Sequence, residues 1–302
     1  MTGATHPVGI VGVGLVGLAL VERLRAARIK VLGYDINPAH REALTAAGAV
    51  VAGSAQEVFA ACDNVLLALN DGGQTSIAVR DALPVIAPGS MIVDCGNGEP
   101  DQVVSLAVRL AGRGVRLIDA PLAGSSQQIR DSTAVMMIGG EAEACAALEP
   151  VLAAITPRRF HLGPPGSGAR AKLAINLLLG LNRAALAEAL VFAESLHLDL
   201  PIFLDLVRAT PAHSRAVDAK GQRMIDGDYA PAQSRIEQTR KDVALMLATS
   251  QRANLALPLT SVHANLLDAA MTEGAGDLDN AAIIETIRHW RVPATARRKS
   301  GA

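Results

Sequence analysis

Residues 8–17, VGIVGVGLVG, constrain the chain more than any other stretch. A short β-branched run leads into them and the amphipathic segment VGLALVERLRAAR leads out, so Gly12, Gly14 and Gly17 form a G-x-G-x-x-G turn between a predicted strand and a predicted helix. Each glycine answers a different steric demand. Gly12 permits the tight turn, Gly14 lets a pyrophosphate approach the backbone, and Gly17 lets the helix pack closely on the strand. The N–H groups at the start of that helix, around Leu15 and Val16, are then free to meet phosphate oxygens. Asp35 ends the next strand, in VLGYDINP, where a carboxylate accepts hydrogen bonds from an adenosine ribose and repels a 2′-phosphate. The pattern predicts a dinucleotide site that takes NAD in preference to NADP. A second reading of Asp35 stays open, in which it only caps the helix beginning near Asn37 and Pro38.

From residue 8 to about 162, short strand-like runs alternate with helical segments. VGIVGV, KVLGYD, NVLLAL, SMIVDC, VRLIDA and TAVMMIG read as strands, and segments such as DQVVSLAVRLAGRG place apolar residues three and four apart. Such alternation specifies an α/β domain, a Rossmann-type doubly wound parallel sheet with helices on its faces. The character changes at GPPGSG, residues 163–168. Every later segment reads as helix, roughly 169–196, 201–208, 214–226, 234–253, 260–273 and 280–289. The expected organisation is an α/β domain over 1–164 and an all-helical C-terminal domain over 165–302, linked by the helix at 169–196, about 40 Å long at the standard rise.

Composition narrows the partners. A formal net charge of −1 supplies no basic field for nucleic acid or an anionic membrane, so a small molecule is the expected partner. Arg297, Arg298 and Lys299 read as a solvated tail. Cys62, Cys95 and Cys145 are odd in number and widely spaced, which suits a reducing cytoplasm better than a disulfide framework or a zinc site. His161, His197, His213, His263 and His289 are scattered without ligand spacing, so no metal is expected. The opening MTGATHP lacks a basic n-region, and secretion is not expected. The most apolar segment, LAINLLLGLNRAALAEALVFA, contains Asn176, Asn182, Arg183 and Glu188, which argues for a buried helix over a membrane span.

In GSGARAKLAIN, Lys172 and Asn176 stand four apart and share one helix face. At the mouth of a dinucleotide fold such a pair can donate a proton and a hydrogen bond to a carbonyl oxygen that receives hydride. The spacing alone equally suits an ordinary first turn with a solvated lysine and a surface asparagine.

The chain as a whole resembles the β-hydroxyacid dehydrogenase family, which includes 3-hydroxyisobutyrate dehydrogenase and tartronate semialdehyde reductase. Five landmarks stand in family order: the VGVGLVG turn, DAPLAGS at 119–125, GSGARAKLAIN, RKDVAL at 240–245 and GAGDLDNAA at 274–282. The resemblance implies that Lys172 is the general acid/base and that Asn176 helps hold a small hydroxy acid or semialdehyde. It implies that the loop of Ala123, Gly124 and Ser125 binds the substrate, that Leu69 and Asn70 touch the cofactor, and that Lys241 lies near its nicotinamide end. It also implies a homodimer or homotetramer, for which the apolar helix around Leu177 to Val191 offers a surface.

Several positions depart from the family pattern. Where the family usually reads D-A-P-V-S-G-G, this chain has Ala123 and Ser125 in place of the first serine and the second glycine. Ser125 or backbone N–H groups can replace the missing hydroxyl. Gln127 and Gln128 either reach toward a longer polar substrate or are solvated. VDCGNGEP carries Gly96 and Asn97 where the family favours serine and threonine, and Asn97 can still bond a nicotinamide carboxamide. That wording resembles 6-phosphogluconate dehydrogenase, but Ile175 replaces that enzyme's histidine before the helix asparagine. Arg235, beside Gln233 and Gln238, either binds a second carboxylate or lies on the surface. Cys95 reads as a buried small residue, not a nucleophile. Two alternatives follow: an imine reductase, which usually lacks the lysine, and a dinucleotide-binding protein without turnover.

Overall fold

The computed structural model describes residues 6–69 and 71–290. Contacts divide the chain into two units, residues 1–172 and 173–302.

In the first unit, β1 (Val8–Val11), β2 (Val31–Tyr34), β3 (Val50–Val51), β4 (Asn64–Leu67), β5 (Met91–Asp94) and β6 (Arg116–Asp119) form one sheet in the order β3-β2-β1-β4-β5-β6, with every pairing parallel. Six helices alternate with these strands and follow them: α1 (Leu15–Ala26), α2 (Pro38–Ala46), α3 (Ala55–Ala61), α4 (Gly72–Ala82), α5 (Pro100–Ala111) and, beyond β6, α6 (Ser126–Arg130). Strands covered on both faces read as near-continuous apolar runs, and β1 and β5 are buried at every position, β5 ending in the buried Asp94. Successive side chains point to opposite faces. Ile10, Leu66, Val93 and Ile118 therefore join one core, with Leu20 and Leu24 of α1. Val11, Leu67, Ile92 and Leu117 join the other, with Phe59, Val79 and Leu106 from α3, α4 and α5.

The doubly wound parallel sheet expected from the sequence is present, but TAVMMIG is not part of it. That run forms β8 (Val135–Ile138) in a second sheet, antiparallel to β7 (Leu122–Ala123) and parallel to β9 (Arg159–His161). The reason is direction. After β6 the chain turns back through β7 and α6, so β8 runs antiparallel to β7, and Gly139 at its end bridges Asp119 antiparallel instead of extending the parallel ladder. The sixth strand of the main sheet is instead β3, two residues long. Two short helices, α7 (Ala142–Ala147) and α8 (Glu149–Ile155), precede β9.

The second unit contains most of α9 (Ser167–Ser195), then α10 (Leu200–Arg208), α11 (Arg215–Asp226), α12 (Ile236–Arg252), α13 (Pro258–Thr272) and α14 (Ile283–His289). Its core gathers Leu186, Leu190, Leu204, Met246, Leu267 and Ile283. Asp279, fully buried, ties α11 to the turn before α14, accepting from Lys220 Nζ at 2.8 Å, Arg223 Nη1 at 3.2 Å and the Gln233 N–H at 2.7 Å. The expectation that α9 is a buried helix is not met within one chain. It is long and apolar enough to span a membrane by length and composition, yet only 22% of its most apolar window is buried. Ile175, Leu178, Leu179 and Phe192 are exposed, because α9 presents only part of its circumference to its own core.

Candidate active site

The six-stranded order reverses direction at β1 and β4, so the loops leaving their carboxyl ends diverge and open a crevice. The glycine turn sits there. Gly12 has φ +89°, and a Cβ on it would lie 2.6 Å from the Ala68 carbonyl oxygen. A Cβ on Gly17 would lie 2.1 Å from the Gly12 carbonyl oxygen, which is why α1 can press against β1 only through a glycine. A Cβ on Gly14 would meet nothing within 4 Å. The first two glycines are demanded by packing inside the protein; the third faces open space, as a backbone cradle for a pyrophosphate requires. Leu15 and Val16 follow at the exposed start of α1, whose N-cap, Gly14, offers no side chain to its amides. The residues present therefore fit a dinucleotide.

Asp35 closes the turn from the next strand. Its Oδ2 accepts the Val13 N–H at 2.6 Å and its Oδ1 the Asn37 N–H at 2.8 Å, while His40 Nδ1 lies 3.2 Å away. Burial opposes ionisation, but these two N–H groups and His40 outweigh it and hold the carboxyl below its usual value. The cap of α2 is Asn37, whose Oδ1 accepts the Ala39 N–H, so Asp35 is not spent on capping that helix. Arg41 donates to the Asp35 and Ile36 carbonyl oxygens.

Leu69, after β4, connects neighbouring loops. Its side chain fills the space a Gly12 Cβ would need, and its carbonyl oxygen lies 2.8 Å from where a Gly96 Cβ would stand. Asn70 lies outside the described residues. Gly96 and the exposed Asn97 follow β5 beside this group, with the Gly96 N–H bonded to Asp94 Oδ1 at 2.9 Å. Cys95 is buried and its thiol is pushed up by burial, so it is a core residue, not a nucleophile.

Lys172 reaches the same carboxyl edge of the sheet. Its Nζ donates to the Leu122 carbonyl oxygen at 2.7 Å, and Leu122 immediately precedes Ala123, Gly124 and Ser125. Gly124 has φ +151°, and Ser125 caps α6. The Ser125 hydroxyl accepts the Gln128 N–H and the Ser125 N–H donates to Gln128 Oε1, a reciprocal capping box. Gln127 bonds Asp131 at 2.9 Å. Both glutamines are exposed, as the solvated reading has it, and both also have local helical work. The strand-end aspartates were not singled out from the sequence. Asp119 accepts the Gly166 and Ala169 N–H groups, each at 2.7 Å, and burial still leaves its carboxyl above the usual value. Asp94, its register partner on β5, is raised to about 6 by burial, with a further contribution from the Asp119 charge.

Asn176 and Lys241 belong to the second unit. Asn176 follows Lys172 by one turn of the continuous α9. Lys241 is exposed and pairs with Glu237 at 2.7 Å. Arg235 is a surface residue paired with Asp277 at 3.3 Å.

This arrangement defines a dinucleotide-binding oxidoreductase. The family model for the NAD-binding domain of 6-phosphogluconate dehydrogenase matches residues 7–163, and the model described as NAD-binding of NADP-dependent 3-hydroxyisobutyrate dehydrogenase matches residues 166–287. The chain belongs to the β-hydroxyacid dehydrogenase family, whose members are NAD(P)-dependent enzymes acting on a CH–OH group. It is 28% identical to 2-(hydroxymethyl)glutarate dehydrogenase of Eubacterium barkeri over 92% of this chain and 93% of that protein. It is 28% identical to L-threonate dehydrogenase of Cupriavidus necator, covering 96% and 98% of the two chains. Among solved structures, 3-hydroxyisobutyrate dehydrogenase from Salmonella typhimurium superposes with a TM-score of 0.84 at 28% identity, covering 93% of this chain and 99% of that one.

Proposed function

We propose that this enzyme interconverts a small β-hydroxy acid and its semialdehyde, with Lys172 as general acid/base and NAD as the preferred cofactor. The observation that carries the reading is the 2.7 Å bond from Lys172 Nζ to the Leu122 carbonyl oxygen. It holds an ammonium group beside the Ala123 to Ser125 loop, at the edge of the sheet where the glycine turn lies. The cofactor, when bound, supplies the hydride acceptor or donor.

The chain's own residues divide the remaining work. Gly12, Gly14 and Gly17, with the amides of Leu15 and Val16, cradle the pyrophosphate; Asp35 receives the ribose and disfavours a 2′-phosphate. Leu69, Asn70, Asn97 and Lys241 complete the cofactor contacts. In oxidation Lys172 takes the hydroxyl proton; in reduction its ammonium returns one to the carbonyl oxygen. Asn176 hydrogen-bonds the reacting oxygen. The Ser125 hydroxyl uses a lone pair on the Gln128 N–H and keeps its proton to donate to a substrate carboxylate, while the Ser125 N–H is taken by Gln128 Oε1. Fixing these groups accelerates the reaction chiefly through geometry. The exposed apolar side of α9 supports a homodimer or homotetramer, and the uneven cysteines support a cytoplasmic setting.

The test is a turnover screen with NAD+ over L-threonate, 2-(hydroxymethyl)glutarate and 3-hydroxyisobutyrate, run on wild type and Lys172→Ala. A loss of kcat of roughly 100-fold or more with NADH affinity unchanged supports the reading. Tight NADH binding with no turnover of any probe by wild type counts against it.

A further inference from the structure

We propose that Asp119 is a positioning residue for Lys172, its carboxylate clamping the first turn of α9 so that the lysine amino group meets the Leu122 carbonyl. The inference rests on Lys172 being the acid/base.

Two clasps join the same two segments. Asp119 Oδ1 and Oδ2 accept the Gly166 and Ala169 N–H groups at 2.7 Å each, and three residues further along each segment Leu122 accepts from Lys172 at 2.7 Å. The first N–H groups of a helix have no partner within it. A buried carboxylate satisfies them here and places negative charge at the positive end of the helix. The residue's backbone is anchored, since Asp119 exchanges both of its backbone hydrogen bonds with Gly139 at 2.8 Å. Its niche is closed by glycines: a Cβ on Gly139 would lie 2.4 Å from Asp119 Oδ1, and one on Gly168 would lie 2.9 Å from Oδ2 and 2.5 Å from the Met137 carbonyl oxygen. Backbone on every side is shaped around this one side chain. Asparagine at 119 has a single accepting oxygen, and its NH2 would face an N–H. The first turn of α9 must then shift, and a shift of about 1 Å at an acid/base costs about 100-fold in rate.

The first readout needs no substrate. The full chain has five lysines, Lys30, Lys172, Lys220, Lys241 and Lys299, whose amino groups give separate NMR signals after reductive 13C-methylation, with Lys172→Arg assigning the relevant one. In Asp119→Asn the Lys172 signal moves toward the position and pH response of a solvated lysine while the Lys30, Lys220 and Lys241 signals stay in place. An unmoved Lys172 signal, or equal movement of all of them, overturns the proposal. The second readout is a double-mutant cycle on kcat with L-threonate or 3-hydroxyisobutyrate, whichever wild type turns over. Asp119→Asn alone lowers kcat about 100-fold with KM for NAD+ unchanged, and costs less than about twofold further in Lys172→Ala. Additive losses overturn it. If Asp119→Asn does not fold, Ala169→Pro removes one clamped N–H at a position in the first helical turn and is expected to move the same Lys172 signal; a wild-type signal there refutes the clamp. Full activity in Lys172→Ala would sink the acid/base reading instead, and the NMR result would still decide whether Asp119 places the lysine.

Discussion

Gly14 and Gly17 separate cofactor binding from folding, because the structure surrounds them differently. Gly14 has φ −66° and ψ −162°, a conformation open to alanine, and a Cβ there meets nothing within 4 Å. Gly14→Ala therefore leaves the fold nearly unchanged. The gain from a stiffer unfolded chain, about 0.4–1 kcal/mol, is offset by the poorer N-cap, about 0.5 kcal/mol. The net shift in Tm is within about 2 °C for a domain of this size. The methyl group instead occupies the open space offered to a pyrophosphate, and overpacking at about 1–3 kcal/mol raises the NADH Kd roughly 5- to 150-fold. Gly17→Ala reverses the pattern. Its Cβ would sit 2.1 Å from the Gly12 carbonyl oxygen, so α1 must move off β1, and Tm falls together with affinity. Thermal unfolding without cofactor and fluorescence titration with NADH read the two effects. Wild-type NADH affinity in Gly14→Ala at unchanged Tm would show that no cofactor backbone passes Gly14, and the assignment of the turn would fail.

Three further outcomes follow from buried charge. If Asp35 receives the ribose as proposed, Asp35→Ser removes that carboxylate while Arg41 remains nearby, so the NADP+ to NAD+ ratio of kcat/KM should rise at least about tenfold, the equivalent of about 1.4 kcal/mol; a wild type that already uses both equally would contradict the proposed role of Asp35. Asp94 has its carboxyl raised from 3.8 to about 6 by burial, with help from the Asp119 charge, so the native state holds its proton longer than the unfolded chain does. The contribution of Asp94 to stability is then greatest below about pH 4 and falls by up to about 3 kcal/mol as pH rises through 6; Asp94→Asn should raise Tm relative to wild type at pH 8 but not at pH 4, and an equal gain at both would refute the argument. Asp279→Ala leaves Lys220 and Arg223 without their buried partner and should destabilise the helical unit by about 3–5 kcal/mol, read as earlier loss of helical circular dichroism on heating. A shift under about 1 kcal/mol would mean that the pair relaxes to solvent.

What the sequence disclosed was what local sterics determine. The glycine turn, the strands buried on both faces and the long helix all announce themselves within about fifteen residues. β3, β7 and β9 do not: at two, two and three residues they have no periodicity to read and exist because a neighbouring strand pairs with them. TAVMMIG looks like the strands of the main sheet because its composition is the same, and only the reversal of the chain before it, which no local pattern marks, makes it antiparallel to β7. The polar contacts that place Lys172 join residues 47 to 50 positions apart, beyond any local pattern. Asp119 was visible as the first letter of DAPLAGS, but its acceptors' partners were not.

Gln128 is solvated, as one of its two readings has it, and its capping role was also legible locally. Ser125, Ser126, Gln127 and Gln128 spell S-x-x-Q, a capping-box signature, and the structure forms that box. The exposed glutamine accompanies the departure at 125. With serine in place of a glycine at 125, the chain begins α6 there, and α6 is tied to α1 by Arg130 and Glu22. The same substitution that removes conformational freedom from the loop supplies a hydroxyl to it. The change to LAGS therefore trades a glycine in the loop for a capped helix start that still carries a hydroxyl, beside the Leu122 carbonyl that Lys172 bonds.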